Sequence, residues 1–217
     1  GIVEDIYYNL TAGSGGIKTL GGDVTVTNDL TINTDVTIAM GANSLTVTGA
    51  TTIPGTVTIT TGTLDANGTF DATGGTIDIN GVGDLQLEGV VTSLGDVSVD
   101  FGTVTYDGPG DQDIVADDYY SLTAGGGTGT KTFAGTVTVG GNLTIDADVT
   151  IAMDSYDLTV TGATNIVGTL TVAANTLTLN GASDVDGTIT ISTGTVDANG
   201  TFTAENGMIT FSDAGNL

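Results

Sequence analysis

The chain has 217 residues, with 26 acidic side chains against two basic ones, a formal charge of −24, 35 glycines, and no His, Cys or Trp. Without His and Cys there is no Ser-His-Asp or Cys-His nucleophile, no thiolate metal site and no disulfide. The charge repels phosphate backbones and anionic headgroups, which excludes nucleic acid as a partner, and no apolar run reaches the length of a membrane helix, so no membrane insertion is expected.

Repeats dominate the reading in chain order. VTVTNDLTINTDVTIAM, from Val24 to Met40, returns as VTVGGNLTIDADVTIAM from Val137 to Met153, and LTVTGAT from Leu45 returns from Leu158. TGTLDANGTF from Thr61 returns as TGTVDANGTF from Thr193. The chain therefore reads as two tandem copies, residues 1–112 and 113–217, forming one continuous rod. Copy two carries 19 extra residues, Gly168 to Asp186, which should be one structural unit.

Within each copy, runs of three to five residues alternate apolar with Thr and are bounded by Gly, Asn or Asp, the signature of short strands and turns. Grouped by threes, the runs give coils starting at Val24, Leu45, Leu64, Leu85 and Val104, then at Val137, Leu158, Leu177, Val196 and Leu217. Within each copy every step is 19 or 21 residues, and the insertion equals one step. The expected fold is an all-β, three-sided, parallel right-handed β-solenoid; the alternative is a β-sandwich of tandem repeats built from hairpins. Inward positions are Val24, Val26, Leu30, Ile32, Val36, Ile38, Leu45 and Val47, with Val137, Val139, Leu143, Ile145, Val149, Ile151, Leu158 and Val160 as counterparts. Gly13 to Gly16 and Gly125 to Gly129 read as loops leaving the coil.

The two ends of the sequence match each other. GMITFSDAGNL, ending at Leu217, followed by GIVEDIYYNLTAG from Gly1, aligns without a gap to the internal Gly102–Gly125 stretch, with 12 of 24 columns identical. The boundary between Gln112 and Asp113 is thus the same kind of junction as Leu217 meeting another Gly1. Open terminal coils expose core and unpaired edges, so the expected partner is a second copy, stacked head-to-tail as a homopolymer. The expected subunit interface is Gly1, Ile2, Val3, Asp5, Tyr7 and Tyr8 at one end, and Met208, Ile209, Phe211, Asp213, Asn216 and Leu217 at the other. The pairs Tyr7–Tyr8 and Tyr119–Tyr120 would cover the joints.

Few residues carry chemistry. In the run DGPGDQD, Asp107, Asp111 and Asp113 are candidate oxygen ligands for calcium around a Pro-Gly turn, and no other cofactor is expected. Lys18 and Lys131, the only cationic side chains, sit at equivalent places in GIKTL and GTKTF and should each pair a carboxylate at the surface. No catalytic residue is identified, and the expectation is that the protein is not an enzyme. Threonines on successive runs fall on different faces, which argues against the single aligned Thr face of an ice-binding solenoid.

The runs YYNLTAGSGGIKTLGGDVTVTNDLTI and YYSLTAGGGTGTKTFAGTVTVGGNLTI resemble the Thr-Val-Gly-Asn repeats of large bacterial β-solenoid surface proteins, such as adhesins and autotransporter passengers. The resemblance covers nearly all the chain in rhythm and composition, and it implies an exported protein, extracellular or on the cell surface, without assigning functional residues. The expected function is a structural subunit of an extracellular filament or matrix fibre. The alternative is an adhesin stalk or passenger segment of a longer surface protein.

Overall fold

The computed structural model describes residues 1–97 and 100–212. It is all-β, a parallel β-solenoid of about 10 turns with coils of ~20 residues. The chain divides into two compact units, Gly1–Thr105 and Tyr106–Leu217.

In the first unit each coil lays down three short strands, one on each of three parallel sheets. The first side stacks Asp5–Tyr7, Val24–Val26, Leu45–Val47, Thr63–Ala66 and Asp84–Leu87 in that order. Leu10–Ala12, Leu30–Ile32, Thr51–Thr52, Phe70–Asp71 and Val91–Ser93 form the second. The third is Gly16–Thr19, Val36–Gly41, Thr56–Ile59, Thr76–Ile79 and Asp96–Val97. The second unit repeats the plan, and the inserted segment contributes Thr169–Val172, Thr176–Leu179 and Ser183–Val185, one strand to each side. An insertion of one whole coil leaves every other strand in register. Because consecutive strands belong to different sheets and the strands pair in parallel, the hairpins of the sandwich alternative are absent among the described residues.

Period-two alternation puts the core where the pattern requires it. Val24 stacks on Leu45, Leu45 on Leu64 and Leu64 on Leu85, all buried, and the sixteen inward positions named above are buried without exception. Within each copy the coil starts share a sheet, Val24, Leu45, Leu64, Leu85 and Val104 in one and Val137, Leu158, Leu177 and Val196 in another, while Leu217 lies outside the described residues. Two readings need correction. The Gly13–Gly16 stretch stays in the coil as a tight corner, with φ of 65° at Ser14, 56° at Gly15 and 74° at Gly16, and the next strand begins at Gly16 itself. In the second copy the strand Gly129–Phe133 likewise begins inside the glycine run. Threonines of successive runs do occupy different sides, but in-register stacking aligns those of successive coils: Thr130, Thr150, Thr169 and Thr188 form one column, and Thr171, Thr190 and Thr210 another beside it.

The core ladders contain hydroxyls at one recurring position. Leu30 stacks on Thr51, and Leu143 on Thr164, which stacks on Ser183. All three hydroxyl side chains are buried, and their oxygens have no hydrogen-bond partner.

Candidate functional site

The internal junction is built from the turn that follows Thr103–Tyr106 and leads into the strand Gln112–Ile114. Alternation points Tyr106 inward, and the short strand Asp118–Tyr119 points Tyr119 inward to meet it; both rings are fully buried. They stand edge to face, with centroids 6.4 Å apart and planes at 74°, a favourable arrangement of two ring quadrupoles. The Tyr119 hydroxyl donates to Val115 O at 2.6 Å, so in the 2.9 Å contact between the two hydroxyls Tyr106 is the donor. Val115 N–H closes the set by donating to the Tyr106 hydroxyl at 3.2 Å. Burial pushes both phenols well above the usual tyrosine range, and the negative charge of Asp117 adds to the effect.

Lys131 overturns the expectation of a surface ion pair. Its side chain is fully buried, and Nζ donates to Gly108 O at 2.6 Å, to Gly110 O at 3.2 Å and to Gln112 Oε1 at 3.1 Å. A lysine opposite Gln112 on a parallel rung is aimed inward by the alternation, directly under the turn of the preceding coil. Burial lowers its pKa, while Asp107 and Asp111 act in the opposite sense. The ammonium is the cation this turn holds. Of the three acids read as calcium ligands, Asp107 is half-buried in the turn and Asp111 accepts the Thr130 N–H at 2.8 Å. Asp113 is exposed, on the rung opposite Thr132. Among the described residues no group of three acidic side chains is placed to hold a metal ion.

Gly126 explains the shape of this corner. Its φ is 85°, a left-handed value, and a Cβ there would collide with the main-chain carbonyl of Asp107.

The first coil repeats the junction's local pattern. The Tyr7 hydroxyl donates to Val3 O at 3.2 Å, as Tyr119 does to Val115, and Ile6 N–H donates to Asp5 Oδ1 at 2.8 Å, as Asp118 does to Asp117 at the same distance. Ile2 forms a parallel bridge with Leu20, the counterpart of the pairing of Ile114 with Phe133. The environment differs, however. Lys18 is half-buried and donates to Gly15 O at 2.5 Å, while Val3, Ile6 and Tyr8 are exposed. A shallow depression beside them is lined by Ile2, Leu10, Ala12 and Lys18.

At the far end the last strands, Thr195–Ala198, Phe202–Thr203 and Met208–Phe211, have a neighbour on one side only among the described residues. Met208, Ile209 and Phe211 are exposed, Phe211 by 59 %, and with Ile191, Val196 and Phe202 they border an apolar depression. Of the twelve expected interface residues, Gly1, Ile2, Val3, Asp5, Tyr7 and Tyr8 lie in the first coil, and Met208, Ile209 and Phe211 in the last strand. Asp213, Asn216 and Leu217 lie outside the described residues. Of each tyrosine pair, the first turns toward the core and the second outward. Sequence reasoning missed Tyr106, Gln112 and the inward course of Lys131. The signal for Tyr106 was available, since it shares an alignment column with Phe211.

No protein family, curated protein or solved structure matches the chain.

Proposed function

We propose that this chain is a structural element of an extracellular filament or fibre, extended head-to-tail by stacking the last coil of one copy on the first coil of the next. One observation carries the reading: the sequence across the two ends repeats the internal junction in phase, and Val3, Ile6, Met208 and Phe211 among the described residues near it are apolar and exposed. Exposed apolar residues beside strands with a free edge favour further parallel stacking. A head-to-tail contact that does not close gives an open fibre. The acidic surface favours solubility of such a polymer, and the resemblance to bacterial surface repeats supports an extracellular setting. This reading assigns the chain a structural role and no catalytic residue.

A second reading is a stalk segment of a longer surface protein. It is favoured by the internal junction, where the same join is made within one chain. Electron microscopy of purified, undenatured protein, together with the mass of the native chain, separates the two. Filaments from chains near 21.4 kDa support the subunit reading. A much longer native chain carrying further repeats moves the assignment to the stalk, and dispersed particles at every concentration overturn self-assembly.

A further inference from the structure

One face of the second unit is a net of hydroxyl groups. The strands Gly129–Phe133, Val149–Ala152, Thr169–Val172, Thr188–Ile191 and Met208–Phe211 stack in parallel and keep one register. Alternation sends Lys131, Ile151, Leu170 and Ile189 into the core and the residues on either side of each outward. Thr130, Thr150, Thr169 and Thr188 therefore make one outward column, and Thr132, Ala152, Thr171, Thr190 and Thr210 make the column beside it. We propose that this face binds ice, and that the chain restrains the growth of ice crystals. The inference is independent of the head-to-tail reading above, since it rests on the inner rungs of one unit.

Spacing comes first. Neighbouring strands lie about 4.8 Å apart, and alternate residues along a parallel strand about 6.6 Å, so the hydroxyls repeat on a nearly rectangular net of those dimensions. Oxygen atoms on a prism face of hexagonal ice repeat at similar distances in two perpendicular directions. Water held by the hydroxyls, in the hollows between threonine methyl groups, takes up positions that continue such a crystal. The hydroxyls are available for this. None of them bonds a neighbouring side chain or carbonyl among the described residues, whereas those of Thr60 and Thr105 are tied to Asn80 and Asp84.

Charge points the same way. A carboxylate loses its hydration when a solid covers it, while a hydroxyl exchanges one hydrogen bond to water for another. In a chain of charge −24, the four strands from Gly129 to Ile191 hold no outward carboxylate on this face. The other two sides of the unit carry Asp184 and Asp197 on their ladders. The inserted coil lengthens the net, because its strand Thr169–Val172 adds Thr169 and Thr171, a complete rung without charge. The corresponding side of the first unit is different. Its columns run Ile17, Thr37, Thr56, Thr76, Asp96 and Thr19, Ala39, Thr58, Asp78, with a register shift between Ala39 and Gly41. Acids end both columns and the shift breaks the repeat. The net of the second unit holds no aromatic side chain in either column among the described residues, which disfavours the sugar rings of a crystalline polysaccharide as its occupant.

Ice growth in a nanolitre osmometer tests the inference. The dispersed chain should cut ice crystals into facets and open a gap between melting and freezing that widens with protein concentration. Thr171→Lys puts a charge on the middle rung and should shrink that gap about tenfold. Thr159→Lys puts the same charge outward on the neighbouring side and should leave the gap unchanged. Both variants should unfold at the urea concentration of the parent, since each side chain points to solvent. Rounded crystals that grow freely at millimolar parent protein overturn the inference, whatever the variants do. An equal loss in two folded variants overturns the assignment to this face, and retention on microcrystalline cellulose without any effect on ice replaces the occupant. Head-to-tail stacking is read separately, by light scattering, and stands or falls on its own.

Discussion

Lys131 and Lys18 stand at equivalent places in the two copies, yet the first is fully buried with three acceptors and the second half-buried and bonded to Gly15 O. The strands that carry them are similar in sequence and both pair in parallel with the next coil. What differs is the coil before. Lys131 lies under the turn containing Gly108 and Gly110, and among the described residues no such turn lies over Lys18. The same comparison holds for Tyr119, covered by Tyr106, and Tyr7, which keeps its own hydrogen bond without a ring above it. In a solenoid each coil completes the one beside it, so identical residues have different energies at an interior rung and at an open one.

The largest effect should come from removing the buried ammonium. Lys131→Met removes the ammonium from the buried Gly108 carbonyl and from the Gly110 carbonyl, while Gln112 Oε1 keeps the Gly108 N–H, and should cost about 3 kcal/mol of stability in urea unfolding. The equivalent change, Lys18→Met, should alter the stability of dispersed protein by less than about 0.5 kcal/mol. Equal effects at the two sites would break the comparison.

Next comes the tyrosine pair. Tyr106→Phe removes the acceptor of Val115 N–H and the donor to Tyr119, and should destabilise by about 1 to 2 kcal/mol. Alkaline titration sharpens the point. Both phenols have raised folded pKa values, so their contribution is complete below the ordinary tyrosine value of 10.0 and is lost as the pH rises above it. Lys131 has the opposite sign. Its folded pKa is lowered, so the unfolded chain binds the extra proton between that value and 10.5, and stability rises with pH across the interval. Stability should therefore climb through the mildly alkaline range and fall at higher pH, and Lys131→Met should abolish the climb while retaining the fall. The phenolate absorbance of Tyr106 and Tyr119 should appear only on unfolding.

The smallest effect concerns positions at which the copies agree. Thr51 and Thr164 bury hydroxyls without partners, so Thr51→Val and Thr164→Val should each stabilise by about 1 kcal/mol, measured as a rise in the urea midpoint. A loss of stability in either would mean that the hydroxyl has a partner.

Much of this architecture was readable from local pattern. Val-Thr-Val and Leu-Thr-Ile alternate with period two, Gly, Asn and Asp mark the corners, and the 19-residue insertion reports the coil length directly. The glycine runs were misread as excursions because positive φ serves a tight corner as well as a long loop, and composition alone does not distinguish them. Lys131 was misread because a charged side chain in an acidic chain is ordinarily solvated, and nothing within its own strand says otherwise.

Coil length, the inward side of each strand and the place of the extra coil are thus properties of the sequence by itself, because each depends on neighbours a few residues away. The aromatic lock of Tyr106 on Tyr119, the capture of Lys131 and the side-by-side Thr columns were decided only by the tertiary structure. Lys131 reaches acceptors 19 to 23 residues earlier in the chain, a separation that stacking turns into contact. Local alternation chooses which way a side chain points, and the coil stacked against it decides what it meets there.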